Sequence, residues 1–169
     1  MAPSRPAPSV ALRLATPQDV EFIVATERLP GYDRLVGNWE ADEHLRALDR
    51  PDTRYLIGSV PGGAPEGFVI LQPHGDLHEG SKVKRIAVQR PEAGFGTALL
   101  AEAVRWVFAN SGDERVWLDV FVHNARARHV YARVGFREDG LLRQAYRLPD
   151  GSLVDRVIMS VLRREWRGP

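Results

Sequence analysis

The first half of the chain alternates short apolar runs with turn-forming residues, which predicts short strands around a pair of helices. Residues 11–15 alternate in polarity and predict a strand. Thr16 and Pro17 follow as a helix N-cap and a proline at the first helical position, so a helix should begin there. A second helix is predicted over residues 39–48, after an exposed loop with the sequence LPGYDRLVGN.

Three apolar, partly β-branched runs come next and predict an antiparallel meander. Residues 54–60 and 66–72 flank the turn PGGAP, whose glycines can adopt a positive φ. A third strand is predicted over residues 83–89, after a polar turn at 75–80. Because the connections between these consecutive strands are short, we expect antiparallel pairing among them.

The pattern changes in the second half of the chain, where helical and strand periods alternate. Residues 96–109 predict a helix that is apolar on most of its surface and therefore buried against a sheet. The strand predicted over 116–122 then implies a right-handed parallel crossover. A further helix at 124–135 and a closing hairpin of 136–146 with 152–162 complete a mixed α/β (α+β) sheet with helices on both faces.

Length and composition fit one folded domain. The chain has 169 residues, of which 44% are hydrophobic, enough for a single substantial core. Residues 1–10 are rich in proline and predict a disordered tail before a folded unit at 11–166. No apolar run approaches the roughly 18 residues of a membrane span, and the first residues carry no apolar leader, so a cytoplasmic protein is expected.

Charge and cysteine content exclude several classes of function. The formal net charge is +1, which gives no bulk reason to expect nucleic-acid binding. The chain contains no cysteine, which excludes disulfides, thiolate metal sites and a cysteine nucleophile. The five histidines show no metal-binding spacing, so no metal is expected.

The most informative stretch is RIAVQRPEAGFGTALL, residues 85–100, in which a strand runs through a glycine turn into a helix. Gly94 and Gly96 leave backbone N–H groups at the helix start open to close approach, which with the helix dipole predicts a phosphate or pyrophosphate site. The alternative is a simple turn at Gly94 and close packing at Gly96. Leu99 stands where a dinucleotide fingerprint needs its third glycine, and the chain has no P-loop tripeptide.

A second motif, NARARHVYARVGF, predicts a helix with its N-cap at Asn124. Ala127, Val130, Tyr131 and Val134 recur at helical spacing, so Tyr131 falls on the inward face. From periodicity alone, Tyr131 is therefore an ordinary residue of the core.

In this order and spacing, the two motifs resemble the GNAT family of acyl-CoA-dependent N-acetyltransferases. The similarity covers nearly the whole folded chain and is strongest over residues 83–137. It implies a GNAT-like fold, acetyl-CoA as co-substrate, and an N-acetyltransferase domain at 11–166. It also implies that the pantetheine arm and pyrophosphate of acetyl-CoA are held by Ile86, Ala87, Val88, Arg90, Gly94, Phe95, Gly96, Thr97 and Asn124.

The chain departs from the family pattern in its pyrophosphate motif. Family members usually carry Arg or Gln three residues before the first glycine, where this chain has Pro91, so Arg90 or Gln89 is expected to substitute. Arg126 and Arg128 are expected either to reach the phosphates of CoA or to form a solvated basic face.

The resemblance also implies a catalytic role for Tyr131, as the general acid that donates a proton when the CoA thiolate leaves. The glutamate that many members use as a base is missing, because Lys82, Lys84 and Arg85 occupy its strand. A water chain is one alternative acceptor of the amine proton. Side chains that are substitutes by proximity are Asp76, His78, Glu79 and Asp119.

We therefore expect acetyl transfer to a primary amine by direct attack in a ternary complex, since no cysteine can form an acyl-enzyme. The alternatives are a non-catalytic acyl-CoA sensor with the same fold and a purely interacting domain. Expected partners are acetyl-CoA and an amine acceptor, without nucleic acid or membrane, and a homodimer is left open. The acidic segment 28–44 favours a small cationic amine or a peptide N-terminus as acceptor, or is only a solvated helix face.

Overall fold

The computed structural model describes residues 8–32, 39–73, 80–91 and 94–168. Its elements are β1 (Ala11–Leu14), α1 (Val20–Glu27), α2 (Ala41–Leu48), β2 (Arg54–Ser59), β3 (Pro65–Gln72), β4 (Ser81–Val88), α3 (Phe95–Asn110), β5 (Arg115–Phe121), α4 (Ala125–Val134), β6 (Arg137–Arg147) and β7 (Leu153–Leu162). Parts of the predicted tail, loop and polar turn lie outside the described residues, at 1–7, 33–38 and 74–79.

The strands form a seven-stranded sheet in the order β1-β2-β3-β4-β5-β7-β6, which confirms the predicted mixed sheet. β1 to β4 pair antiparallel in chain order, β5 pairs parallel with β4, and β6 and β7 form the closing antiparallel hairpin. The predicted second helix begins at Ala41 rather than at 39. Glu40 takes the N-cap position, and its N–H donates to the Glu43 carboxylate at 2.8 Å.

The first helix also begins later than predicted, because a 3-10 turn at Pro17–Asp19 precedes α1. The Asp19 carboxylate accepts a hydrogen bond from the Thr16 N–H at 2.8 Å and two from the Arg13 guanidinium at 2.7 Å. The bond from Arg13 is the main reason that the pKa of Asp19 is lowered to about 2. This ion pair ties β1 to the start of α1.

β4 and β5 lie side by side only where they begin. Their parallel pairing consists of Ser81 with Val116 and Lys82 with Trp117. A bulge in β4 follows, since successive β3 positions pair with Arg85 and Val83 and leave the residue between them without a counterpart. Beyond this bulge the two strands separate, so the far end of β4 has an open edge.

The hydrogen-bond alternation shows which groups lie on that open edge. The main-chain N–H of Gln89 donates to the Glu66 carbonyl at 2.8 Å. The main-chain N–H and C=O groups of Gln89 and Ala87 therefore face β3. In an antiparallel pair, the residues between them direct their N–H and C=O groups the other way. The main-chain groups of Ile86 and Val88 therefore face the opening between β4 and β5.

Different helices cover the two faces of the sheet. α3, with α4 beside it, packs on one face over an apolar cluster that includes the fully buried Leu99. A Cβ atom at Gly67 would lie 2.8 Å from the Leu99 side chain, so this close approach requires glycine. α1, with α2 beside it, covers the other face over Ile23 and Phe68. In the described ranges no helix combines the length and apolarity needed to cross a bilayer.

Candidate active site

A cavity of about 180 Å³ lies at the splayed end of β4. Its walls come from the end of β4, the start of α3, the helix α4 and the segment 30–32 that follows α1. Six of the residues predicted to bind the cofactor or to catalyse line this cavity, namely Ile86, Ala87, Val88, Gly96, Asn124 and Tyr131. The fold thus brings the two sequence motifs to one place.

The remaining predicted cofactor residues lie around the glycine turn and are not in the cavity wall. Gly94 is the N-cap of α3 and has φ of +77°, a conformation that favours glycine. Phe95 is buried in the apolar core, so only its main chain is available to a ligand. Thr97 is half-buried in the first turn of α3. The cofactor roles of Gly94, Phe95 and Thr97 stay predictions.

The start of α3 has the properties of an anion site. The N–H of Ala98 is the first to bond back to Gly94, so the N–H groups of residues 95–97 precede the helical hydrogen-bond ladder. They lie at the positive end of the helix dipole. Among the described residues of the cavity wall, Arg126 alone carries a formal charge. The wall is therefore suited to a phosphate-bearing ligand.

The arginine predicted to replace the family's motif residue points elsewhere. Arg90 forms an ion pair with Glu66 of β3 at 2.8 Å and is 70% exposed, whereas Pro91 lines the cavity. Gln89, the other expected substitute, donates to the Thr26 hydroxyl at 2.7 Å. The structure does not bring either side chain into the cavity wall.

The two arginines of α4 differ in their surroundings. Arg126 lines the cavity. Arg128 contacts the Glu138 carboxylate through two nitrogens and donates to the Val122 carbonyl at 3.1 Å. Of this pair, Arg126 is thus the one placed to meet a phosphate, and Arg128 belongs to the surface between α4 and β6.

Tyr131 lies on the wall of the cavity and packs against Phe136, with ring centroids 6.2 Å apart. Burial, with a smaller contribution from Tyr32, raises the pKa of Tyr131 to about 12. The phenol therefore keeps its proton at neutral pH and can act as a donor. Asn124 caps α4, since its side-chain oxygen accepts the Ala127 N–H at 3.1 Å, and it lines the cavity as well.

The carboxylate expected as a substitute base on β5 is already paired. Asp119 lies 3.0 Å from the Lys82 ammonium through one oxygen and 2.8 Å from the Arg156 guanidinium through the other. Both of its oxygens are engaged by cations, and Asp119 is not among the residues that line the cavity. Asp76, His78 and Glu79 lie outside the described residues.

Sequence reasoning missed a tyrosine contact in the cavity. The Tyr32 hydroxyl accepts the Val88 N–H at 3.0 Å and donates to the Val88 carbonyl at 3.1 Å. One hydroxyl thus satisfies both main-chain groups that Val88 directs to the open edge of β4. The two residues are 56 positions apart, and no local pattern signals their contact.

Sequence reasoning also missed a buried polar cluster on the face of the sheet that α1 covers. Glu27 accepts a hydrogen bond from Arg85 at 2.6 Å and lies 3.3 Å from one nitrogen of His44. The other nitrogen of His44 lies 2.9 Å from the hydroxyl of Tyr55. Burial raises the pKa of Tyr55 to about 12, so its phenol stays protonated beside His44.

The charges near α2 are likewise paired with each other. Arg28 bonds to Glu40 at 2.8 Å. Two cations cover the Trp39 ring, with the Lys84 ammonium 4.4 Å and the Arg85 guanidinium 4.7 Å from its centroid. Desolvation and neighbouring cations lower the pKa of Lys84. In this segment, Glu40 therefore acts as an ion-pair partner and Glu43 as a helix-cap partner.

Metal ligands do not gather in the part of the chain that the structure describes: no three His, Asp or Glu side chains there come close enough together to hold an ion.

Comparisons with known proteins agree with this geometry. A model of the acetyltransferase (GNAT) family matches residues 22–136. An N-alpha-acetyltransferase of Sulfurisphaera tokodaii is 29% identical over 136 residues, which cover 79% of this chain and 75% of that protein. The uncharacterized N-acetyltransferase YoaA of Bacillus subtilis is 26% identical over 117 residues, which cover 69% of this chain and 60% of that protein.

The fold has close counterparts among solved structures. The spermidine N-acetyltransferase from Vibrio cholerae, in complex with CoA and spermine, superposes with a TM-score of 0.80 at 22% identity. The match covers 93% of this chain and 97% of that one. The family model spans the glycine turn and Tyr131 alike, so the chain belongs to the GNAT family and is an acetyl-CoA-dependent N-acetyltransferase.

Proposed function

We propose that this enzyme moves the acetyl group of acetyl-CoA to a primary amine, on a small molecule or a peptide N-terminus, by direct attack in a ternary complex. The observation that carries the proposal is the cavity at the splayed end of β4. It combines an open strand edge, a glycine-bearing helix start and a protonated phenol, which are the groups that this transfer needs.

The residues present fit the cofactor. Pantetheine carries amide groups, and the main chain of Ile86 and Val88 offers donors and acceptors in a strand-like row to pair with them. The N–H groups at the start of α3 and the Arg126 guanidinium suit the pyrophosphate. Ala87 also lines the cavity, although its main-chain groups face β3.

In the proposed reaction, acetyl-CoA supplies a thioester whose carbonyl carbon accepts the lone pair of a neutral amine. The new C–N bond forms as the C–S bond breaks. Tyr131 donates its phenolic proton to the departing sulfur, and the phenolate regains a proton from water. Since the described residues of the cavity wall include no carboxylate, we propose that the amine proton leaves through water.

The charges around α2 support a peptide N-terminus more than a multiply charged polyamine. The Lys84 ammonium over Trp39 repels a polycation, and the Glu40 carboxylate is held by Arg28. A peptide N-terminus carries a single ammonium charge and meets less repulsion near α2. Its ammonium group loses a proton before the neutral amine attacks. The relatives represent both acceptor classes, an N-alpha-acetyltransferase and a spermidine N-acetyltransferase.

The test begins with calorimetric titration of CoA and continues with a panel of N-terminal peptides and polyamines, read as release of free CoA from acetyl-CoA. We expect CoA binding, and turnover with at least one peptide. Binding without turnover on any amine would favour the sensor function, and the absence of CoA binding would exclude both. A ping-pong pattern in product-inhibition kinetics would contradict direct attack.

A further inference from the structure

The open edge of β4 has a resident hydrogen-bond partner. By the alternation of the strand, Val88 directs both its N–H and its C=O toward the opening between β4 and β5. The Tyr32 hydroxyl bonds to both groups, at 3.0 Å and 3.1 Å. It therefore makes the two contacts that an added strand, or an amide of an extended ligand, would make at this residue.

This contact is specific to the hydroxyl. The ring of Tyr32 packs half-buried against the apolar cluster on the α1 face, and the phenol reaches from there into the cavity. A phenylalanine ring would keep the packing and lose both hydrogen bonds. The hydroxyl can thus be removed without removing the side chain that anchors the segment 30–32.

We propose that Tyr32 is a positioning residue that occupies the pantetheine-binding edge of β4 and must leave Val88 when acetyl-CoA binds. The inference rests on the proposed binding of acetyl-CoA at this edge. One hydroxyl and one pantetheine amide cannot both bond to the same N–H and C=O groups, because each needs the same position in front of the strand. Cofactor affinity is therefore reduced by the free energy of the Tyr32–Val88 contact.

The displacement also links the two substrates. The segment 30–32 forms one wall of the cavity, so release of Tyr32 from Val88 changes that wall at the moment when the cofactor arrives. The acceptor then meets a wall that the bound cofactor has reshaped, which gives an ordered sequence with acetyl-CoA first.

The experiment measures binding of two ligands to the wild-type chain and to Tyr32→Phe by calorimetry. CoA contains pantetheine, whereas adenosine 3′,5′-bisphosphate carries only the nucleotide end. We expect Tyr32→Phe to bind CoA about three- to tenfold more tightly, the range that corresponds to a typical net hydrogen-bond contribution. The Kd of the bisphosphate should stay unchanged. Tyr146→Phe, the same substitution at an exposed position outside the cavity wall, should leave both Kd values unchanged.

Equal or weaker CoA binding by a folded Tyr32→Phe chain would overturn the inference, as would an equal change for both ligands. If wild-type chain binds no CoA, the proposed function itself fails, which is a different result. A second measurement needs no variant to be stable: in wild-type chain with ¹³C-labelled tyrosine, CoA should shift the Tyr32 ring resonances and the bisphosphate should not. Unshifted Tyr32 resonances at saturating CoA would also overturn it.

Discussion

The two faces of the sheet differ in how they bury polar groups. Beneath α3, the core is mostly apolar, with one buried hydrogen bond from Ser81 at the start of β4 to Asp113 after α3, and the cavity opens at the edge of this layer with Tyr131 on its wall. Beneath α1, Glu27, Arg85 and His44 are buried together and bond to one another. Glu27, Arg85 and His44 are residue types often found in catalytic sites. None of the three lines the cavity, whereas Tyr131 does.

This difference shows that a buried charge is no sign of reactivity by itself. A catalytic group must touch the substrate and have a free position for its proton, whereas the Glu27 carboxylate is engaged through both oxygens. Burying such ions costs desolvation energy, which their mutual hydrogen bonds offset only while all partners are present. We therefore propose a structural role for the α1 cluster and a role in the reaction for the α4 tyrosine.

The largest expected effect is a loss of kcat on substitution of Tyr131, which would distinguish a reactive residue from a structural one. Tyr131→Phe should lower kcat about 100-fold or more, because it removes the proton donor to the leaving sulfur, and should leave the fold intact. Steady-state release of free CoA measures this effect, with Tyr146→Phe as the matched control. With the pKa of Tyr131 near 12, its ionisation should produce no alkaline loss of rate below pH 10. An unchanged kcat in Tyr131→Phe would remove this residue from the mechanism.

On the opposite face, Glu27→Gln should act on stability instead. It leaves the buried Arg85 without its anionic partner, which should lower the free energy of unfolding by about 3 kcal/mol. Glu138→Gln removes a surface partner of Arg128 and should cost less than about 1 kcal/mol. Urea denaturation compares the two variants. A fall in kcat of folded Glu27→Gln comparable to that of Tyr131→Phe would refute the division between the faces.

A smaller effect is expected at the helix start. A Cβ at Gly96 would lie 3.7 Å from the Val88 side chain, an ordinary contact, so Gly96→Ala should fold and gain helix propensity. Because Gly96 lines the cavity, the added methyl should restrict close approach of the cofactor to the helix start, and we expect the Kd for CoA to rise about tenfold. Calorimetry and thermal unfolding measure the two changes. Gly112→Ala, with open space around its Cβ, should leave the Kd for CoA unchanged.

The smallest effect concerns the ion pair between Arg13 and Asp19. The pKa of folded Asp19 is about 2, below the usual value of 3.8, so its stabilisation is present near neutral pH and is lost as the pH falls from about 5 to 2. Asp19→Asn should lower the free energy of unfolding by about 1–2 kcal/mol at pH 7, with most of the difference gone when the pH reaches 2. Urea denaturation between pH 7 and 2 tests this, and parallel curves would contradict it.

The order of the elements could be predicted from local patterns. The apolar helix α3 and the strand-turn-helix unit at Gly94 have periodicities and turn residues that act within a few positions. The starts of α1 and α2 differ from the prediction by two or three residues, because the capping bonds at Asp19 and Glu43 are local signals that periodicity alone does not weigh.

The site could be predicted only in part, because some of its contacts join positions that are far apart in the sequence. The Tyr131 stripe and the glycine turn are local motifs, and the fold brings both to the cavity. The position of Arg90 was decided by a partner 24 residues away, Glu66, which the motif does not contain.

By itself, the sequence determined which segments form strands and helices and which motifs bear a family likeness, because backbone propensity and hydrophobic period act over short distances. Tertiary structure alone decided that Tyr32 meets Val88 and that Glu27 meets Arg85, pairs separated by 56 and 58 positions. Such contacts depend on how the sheet and helices pack, since a polar side chain finds its buried partner only after the elements have assembled around it.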